Sequence, residues 1–139
     1  MIVDHIGYLV KDMERSIESF EKLGYVRDSK IFEDNEEFLG RARNIRICFM
    51  KCGDTCIELV SPMKDIQNDV SNQLLRQGEG PYHICYKVKE LEKTVSEMKS
   101  KGWIVTKAPM PAIALSGASV AFLFKNSVGL IELVEDQRP

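Results

Sequence analysis

DHIGYLVKDMERSIESFEKLGY, residues 4–25, decides the fold of this chain because the same pattern occurs twice. It lies without a gap over YHICYKVKELEKTVSEMKSKGW, residues 82–103. The offset is constant, so that His5 falls on His83 and Gly24 on Gly102. His, Ile, Tyr, Val, Lys, Glu and Gly recur identically, and Met13/Leu91, Ser16/Thr94 and Ile17/Val95 are conservative pairs. An internal repeat of this length marks two copies of one supersecondary unit.

Within each copy the hydrophobic period changes once. Ile6, Tyr8 and Val10 alternate as one face of a half-buried strand, as do Ile84, Tyr86 and Val88. Met13, Ile17 and Phe20, matched by Leu91, Val95 and Met98, then fall at helical spacing and predict an amphipathic helix packed on the sheet. Gly24 and Gly102 stand where a helix C-terminus takes a left-handed residue. Three more strands are expected after each helix, over 25–32, 44–50 and 55–61 in the first copy and 103–107, 119–124 and 129–135 in the second. CGDT and KNSVG read as hairpin turns.

Each copy is therefore βαβββ, and the class is α+β. One domain, 1–139, is expected, with modules 1–61 and 81–139 joined by a connection, 62–80, that carries a short helix and a Gly-rich exit. The repetition reaches the ends of the modules: CIELV, residues 56–60, matches LIELV, residues 130–134. On a strand's period, Glu58 shares a face with Cys56 and Val60 while Ile57 and Leu59 point the other way.

Composition excludes several classes of function. The chain is 44% hydrophobic and 29% charged with a net charge of -2, so no basic surface is offered to a phosphate backbone and no nucleic acid is expected. No apolar run approaches the length of a membrane span and no leader-like segment opens the chain, so neither membrane nor export is expected and a cytoplasmic location is the default. Cys48, Cys52, Cys56 and Cys85 lack zinc-knuckle spacing and read as reduced thiols on strands. Dinucleotide fingerprint, phosphate loop and nucleophile elbow are all missing from the sequence.

Four polar residues remain. The only two histidines, His5 and His83, occupy equivalent positions in the repeat, and so do Glu58 and Glu132, each at the centre of an apolar strand. Taken singly, a strand histidine is a hydrogen-bonded core residue and a strand glutamate lies on a solvated face. A carboxylate placed on an apolar strand costs several kcal/mol unless it is paired, protonated or bound to a metal. Two imidazoles and two carboxylates related by one pseudo-twofold axis make a donor set suited to Zn, Ni, Co, Mn or Fe(II).

On DHIGYLVKDMERSI, QLLRQGEGPYHICYKV and GLIELVE the chain resembles the vicinal oxygen chelate superfamily of glyoxalases, bleomycin-resistance proteins and dioxygenases. Within it, the stretches look most like methylmalonyl-CoA epimerase and next like glyoxalase I, lactoylglutathione lyase. The resemblance implies two βαβββ modules forming an open eight-stranded barrel around a divalent ion (Zn, Ni, Co or Mn), with His5, Glu58, His83 and Glu132 as ligands. It also implies a small carbonyl or thioester substrate and a homodimer. Methylmalonyl-CoA epimerases commonly carry a second histidine where this chain has Tyr82, and some carry a further carboxylate on the strand where Ile45 and Ile47 stand. Glyoxalase I usually has a DPDGY-like turn where this chain has KNSVG.

Both isomerising branches move a proton next to a carbonyl, with Glu132 the first choice of base and Glu58 available for the opposite face. An Fe(II) dioxygenase is disfavoured, since that branch uses fewer protein ligands. A metal-free binding protein of the drug-sequestering kind would not need the four donors. Arg41, Arg43 and Arg46 are candidates for an anionic substrate tail, or else solvated charges. PAIALSGAS, residues 111–119, is either a flap over the site or a plain hairpin connection. EDNEE, residues 33–37, reads as a solvated loop.

Overall fold

The computed structural model describes residues 1–35, 37–38, 41–64 and 66–138, with the side chains of 37, 38 and 41 also outside the description. The chain divides into two compact units, one of residues 6–82 and one of residues 1–5 with 83–139. The strand β1, Ile2–Leu9, and the strand that opens the second copy each pass through a boundary between them.

In the unit of residues 6–82, β1 leads to α1 (Met13–Lys22), then to β2 (Val26–Arg27), β3 (Phe32–Asp34), a two-stranded ribbon of β4 (Glu37–Phe38) and β5 (Arg41–Ala42), β6 (Ile45–Cys52), β7 (Thr55–Pro62) and α2 (Asp69–Gln77). β7 lies between β1 and β6, parallel to the first and antiparallel to the second, and β6 also carries β2 and β3. Helix α1 starts at Asp12, whose carboxylate accepts from the Arg15 N–H. It buries Met13 and Ile17 against Cys48, Met50, Ile57 and Leu59, which alternate along β6 and β7 onto one face of the sheet. The connection is tied down by Asn68: its side-chain oxygen accepts from Ser71 N, and its amide donates to the Arg43 and Asn44 carbonyls.

In the other unit, β8 (Gly80–Val88) is followed by α3 (Leu91–Ser100), β9 (Ile104–Pro111), a 3-10 turn (Ile113–Leu115), β10 (Ser119–Lys125) and β11 (Gly129–Glu135). The strand order is β8-β11-β10-β9, with β8 and β11 parallel and the rest antiparallel. Leu91 and Val95 of α3 pack on Ala121, Leu123, Ile131 and Leu133. Both α1 and α3 close in the same way. Tyr25 N bonds Phe20 O and Gly24 N bonds Glu21 O; Trp103 N bonds Met98 O and Gly102 N bonds Lys99 O. The turn needs a left-handed residue, and Gly24 and Gly102 supply it at φ 98° and 96°.

The repeat thus builds the same strand pattern twice, with the first strand of each copy parallel to its last. Neither unit's strand path closes on itself. The class is α+β, with nine sheet strands of mixed pairing and three helices among the described residues. The count exceeds eight because the expected strand 25–32 is split into β2 and β3. Between them Phe49 N donates to the Ser29 hydroxyl, so a side chain takes the acceptor role that the backbone would have filled. β3 also absorbs the start of EDNEE, where Asp34 is buried and its carboxylate lies 3.5 Å from the Arg43 guanidinium.

No helix among the described residues is long and apolar enough to cross a membrane. Ile17 is 1% exposed, and Ile17→Ala is expected to lower unfolding free energy by about 2–5 kcal/mol in a urea titration, through lost burial and the cavity left under the sheet. The equivalent truncation of exposed Leu23 is expected to change it by under about 0.5 kcal/mol.

Candidate metal centre

His5, His83 and Glu132 lie in the same unit and are all buried, 1%, 4% and 3% exposed. β1 carries His5, β8 carries His83, and β11 carries Glu132 opposite Cys85. In a parallel ladder, paired residues and residues two apart share a face, so this register turns Glu132 to the same side as His83. Oε1 of Glu132 stands 3.2 Å from Nε2 of His5 and 3.2 Å from Nε2 of His83. The two rings meet edge to face, centroids 5.8 Å apart.

These contacts are short, yet the Oε1 atom is fully enclosed and makes no aligned hydrogen bond. Buried polar atoms in native proteins are nearly always hydrogen-bonded, so an enclosed carboxylate oxygen that faces two imidazoles without that alignment fits a shared ion between the three groups. The donor atoms lie within 4.8 Å of one another, and imidazole nitrogen with carboxylate oxygen suits a first-row divalent ion. Burial would push the Glu132 carboxyl up. The two imidazoles against it outweigh that and hold it well below the usual carboxylate range, so the group stays anionic.

Around these three, Phe122 stands opposite Glu132 on β10 and sets its ring edge-on to His83, centroids 5.3 Å apart. Lys107 of β9 places its ammonium 5.9 Å from the Phe122 ring centre. Asp4 meets the far side of His5, with Oδ2 2.7 Å from Nδ1, and the bond from the imidazole holds the Asp4 carboxyl below its ordinary value.

Glu58 is on β7 in the unit of residues 6–82, 5% exposed, between Phe49 of β6 and Gly7 of β1. It occupies in its copy the register that Glu132 occupies in the other. Gly7 and Cys85, the residues opposite the two glutamates, each stand two places after a histidine.

The other candidates are accounted for by local structure. Arg46 donates from Nη1 and Nη2 to the two carboxylate oxygens of Glu14, at 3.3 and 2.7 Å, and Arg43 pairs with Asp34; the Arg41 side chain lies outside the described residues. Arg46→Ala is expected to change stability by no more than about 1 kcal/mol, because the pair is solvent-exposed, and to leave substrate KM unaltered. PAIALSGAS forms a hairpin connection, closed by bonds from Ala112 N to Ala118 O and from Gly117 N to Ala112 O. Ala112 and Ala118 are buried on Cys85, Val120 and Val134. All four cysteines are thiols, with Cys48 and Cys85 buried.

Two neighbours of the centre escape the sequence reading. Cys85 is two residues from His83 and shares its face of β8, which the period of a strand already implies. Asp4 is adjacent to His5 and on that period points away from it. It reaches the ring because Nδ1 sits next to the carbon by which the ring is attached.

With this geometry in place, comparison with known proteins gives one clear class. The chain belongs to the glyoxalase/bleomycin resistance protein/dioxygenase superfamily, whose family model matches residues 4–122. No curated protein matches the sequence. Among solved structures, a hypothetical protein from Bacillus halodurans C-125 is 26% identical, with TM-score 0.80, covering 99% of this chain and 95% of that one. Methylmalonyl-CoA epimerase from Mycobacterium tuberculosis is 21% identical, with TM-score 0.76, over 98% of this chain and 88% of that one. The Streptomyces coelicolor methylmalonyl-CoA epimerase, solved as a single-substitution variant in complex with 2-nitronate-propionyl-CoA, is 22% identical, with TM-score 0.75, over 99% of both chains. These likenesses show the shared fold, which is consistent with the vicinal oxygen chelate fold.

Proposed function

We propose that the chain is a divalent-metal-dependent isomerase that moves a proton next to a carbonyl, of the methylmalonyl-CoA epimerase kind. The observation that carries this reading is the enclosed triad of His5 Nε2, His83 Nε2 and Glu132 Oε1, which has the donor chemistry of a metal centre within a superfamily that includes metal-dependent isomerases. The family resemblance implies Glu58 as the fourth ligand. Its support is the register: Glu58 faces Gly7, two residues along the same strand from His5, just as Glu132 faces Cys85, two residues from His83.

A divalent ion in this centre supplies Lewis-acid stabilisation to the carbonyl oxygen beside the carbon that loses its proton. The chain's own residues do the rest. His5 and His83 would hold the ion through Nε2, and Glu132 would enter the reaction as a carboxylate, kept anionic by the imidazoles. Ligation would weaken a carboxylate as a base, so Glu132 would take the proton only with its carboxylate off the ion, and returning a proton to the opposite face would require Glu58 in its protonated, unligated form. Phe122 packs edge to face with the His83 ring.

The test is solvent deuterium wash-in with two substrates offered side by side to the zinc- or cobalt-loaded protein, a methylmalonyl thioester and a hemithioacetal. Deuterium at the α-carbon of the thioester alone is the expected result. Conversion of the hemithioacetal alone replaces the epimerase reading with that of a glyoxalase-type lyase. Exchange in neither, by a protein that binds no metal, leaves a small-molecule binding protein in its place.

A further inference from the structure

We propose that Asp4 is a positioning residue for His5, holding the imidazole with its Nδ1 proton on the carboxylate and its Nε2 turned to the ion. This proposal rests on the metal-centre reading and adds a residue outside the ligand set. Asp4 Oδ2 lies 2.7 Å from His5 Nδ1, the distance of a charge-assisted hydrogen bond. An ionised carboxylate has only acceptor capacity, so the proton in that bond belongs to Nδ1. The ring's other nitrogen, Nε2, is the atom that faces Glu132 Oε1 at 3.2 Å.

The carboxylate is itself held. Lys87 Nζ stands 3.5 Å from Asp4 Oδ1, so Asp4 has one oxygen toward a cation and the other toward the ring. Lys87 comes from β8, the strand that also carries His83. A chain of Lys87, Asp4 and His5 therefore runs toward the centre and meets the imidazole at Nδ1, the nitrogen that does not face Glu132. A carboxylate behind a ligating histidine fixes which nitrogen is free, fixes the ring's direction and makes the ligand more basic. The repeat gives His83 no such carboxylate from its preceding residue, because the position equivalent to Asp4 is Tyr82. The Asp4 contact is therefore a feature of the first copy alone, which a purely structural requirement of the repeated fold would not explain.

The experiment compares wild type, Asp4→Ala and Asp4→Asn by zinc titration and by proton NMR of the histidine rings, with circular dichroism to check folding. The wild type is expected to show a downfield, slowly exchanging His5 Nδ1–H signal both before and after zinc is added. Asp4→Ala is expected to lose that signal and to bind zinc about 10–100-fold more weakly. Asp4→Asn keeps an oxygen that accepts the proton, and is expected to recover the signal and part of the affinity. Retention of either the signal or wild-type zinc affinity in Asp4→Ala overturns the proposal. A wild-type chain that takes up no zinc overturns the metal-centre reading instead, and the Nδ1–H signal of the ion-free protein still decides the Asp4 contact.

Discussion

Glu132→Gln is expected to lower the rate of α-proton exchange by about 10²–10⁴-fold, the contribution of a positioned general base, while leaving the chain folded. Glutamine keeps the shape and one carbonyl oxygen, so β11 and its pairing with Phe122 and Cys85 are preserved. What it removes is the negative charge that lies 3.2 Å from both imidazole Nε2 atoms. Ion affinity falls with it, since an amide is a poor substitute for a carboxylate ligand of a divalent ion. Exchange measured at saturating zinc separates the two effects. A variant that keeps both its metal and full proton exchange removes Glu132 from the role of base.

The second large effect is on stability. A ligand that binds only the native state stabilises it by mass action, about 2.7 kcal/mol at a hundred times its dissociation constant. For a chain of this length that corresponds to roughly 5–15 °C in Tm. Chelator-stripped protein is therefore expected to melt that much below protein supplied with zinc. His5→Ala and His83→Ala are expected to remove the zinc-dependent shift, because each deletes one of the two imidazole donors. His83→Ala should also melt below the wild type in the absence of zinc, because Glu132 then keeps a buried charge with one imidazole fewer to compensate it; breaking such a buried pair costs about 3–5 kcal/mol. Differential scanning with and without zinc reads both effects. An equal zinc shift in wild type and both alanine variants would place the ion elsewhere on the chain.

Much of this was legible in the letters because the repeat records the fold twice. The change of period at Met13 and Leu91 locates both helices, and Gly24 and Gly102 mark their ends, since a backbone at positive φ leaves a direct signature in composition. Alternation separates Ile57 and Leu59 from Glu58, and those two pack under α1. The pairing of first with last strand is carried less openly: DHIGYLV and CIELV do not announce that Glu58 comes to lie opposite Gly7. That register follows from which hydrophobic faces meet, and the repeat makes it credible by placing histidine and glutamate at matched positions in both copies.

What stayed hidden depends on single side chains that override a local rule. Ser29 splits one expected strand because its hydroxyl accepts from Phe49 N, and nothing in YVRDSKIF distinguishes that serine from one on a solvated edge. EDNEE looks like a solvated loop by charge, yet Arg43 makes the burial of Asp34 tolerable, and partners that far apart along the chain are invisible to a local window. Asp4 escaped for the reverse reason. A strict strand period separates neighbours onto opposite faces, whereas a ring nitrogen close to the backbone reaches across that division.

Calorimetric titration of chelator-stripped protein with zinc, and in parallel with cobalt, tests the metal centre most directly. One ion per chain is the predicted result, with binding lost in His83→Ala while circular dichroism remains that of the folded protein. A folded wild-type chain that takes up neither ion would contradict a metal centre built from His5, His83 and Glu132.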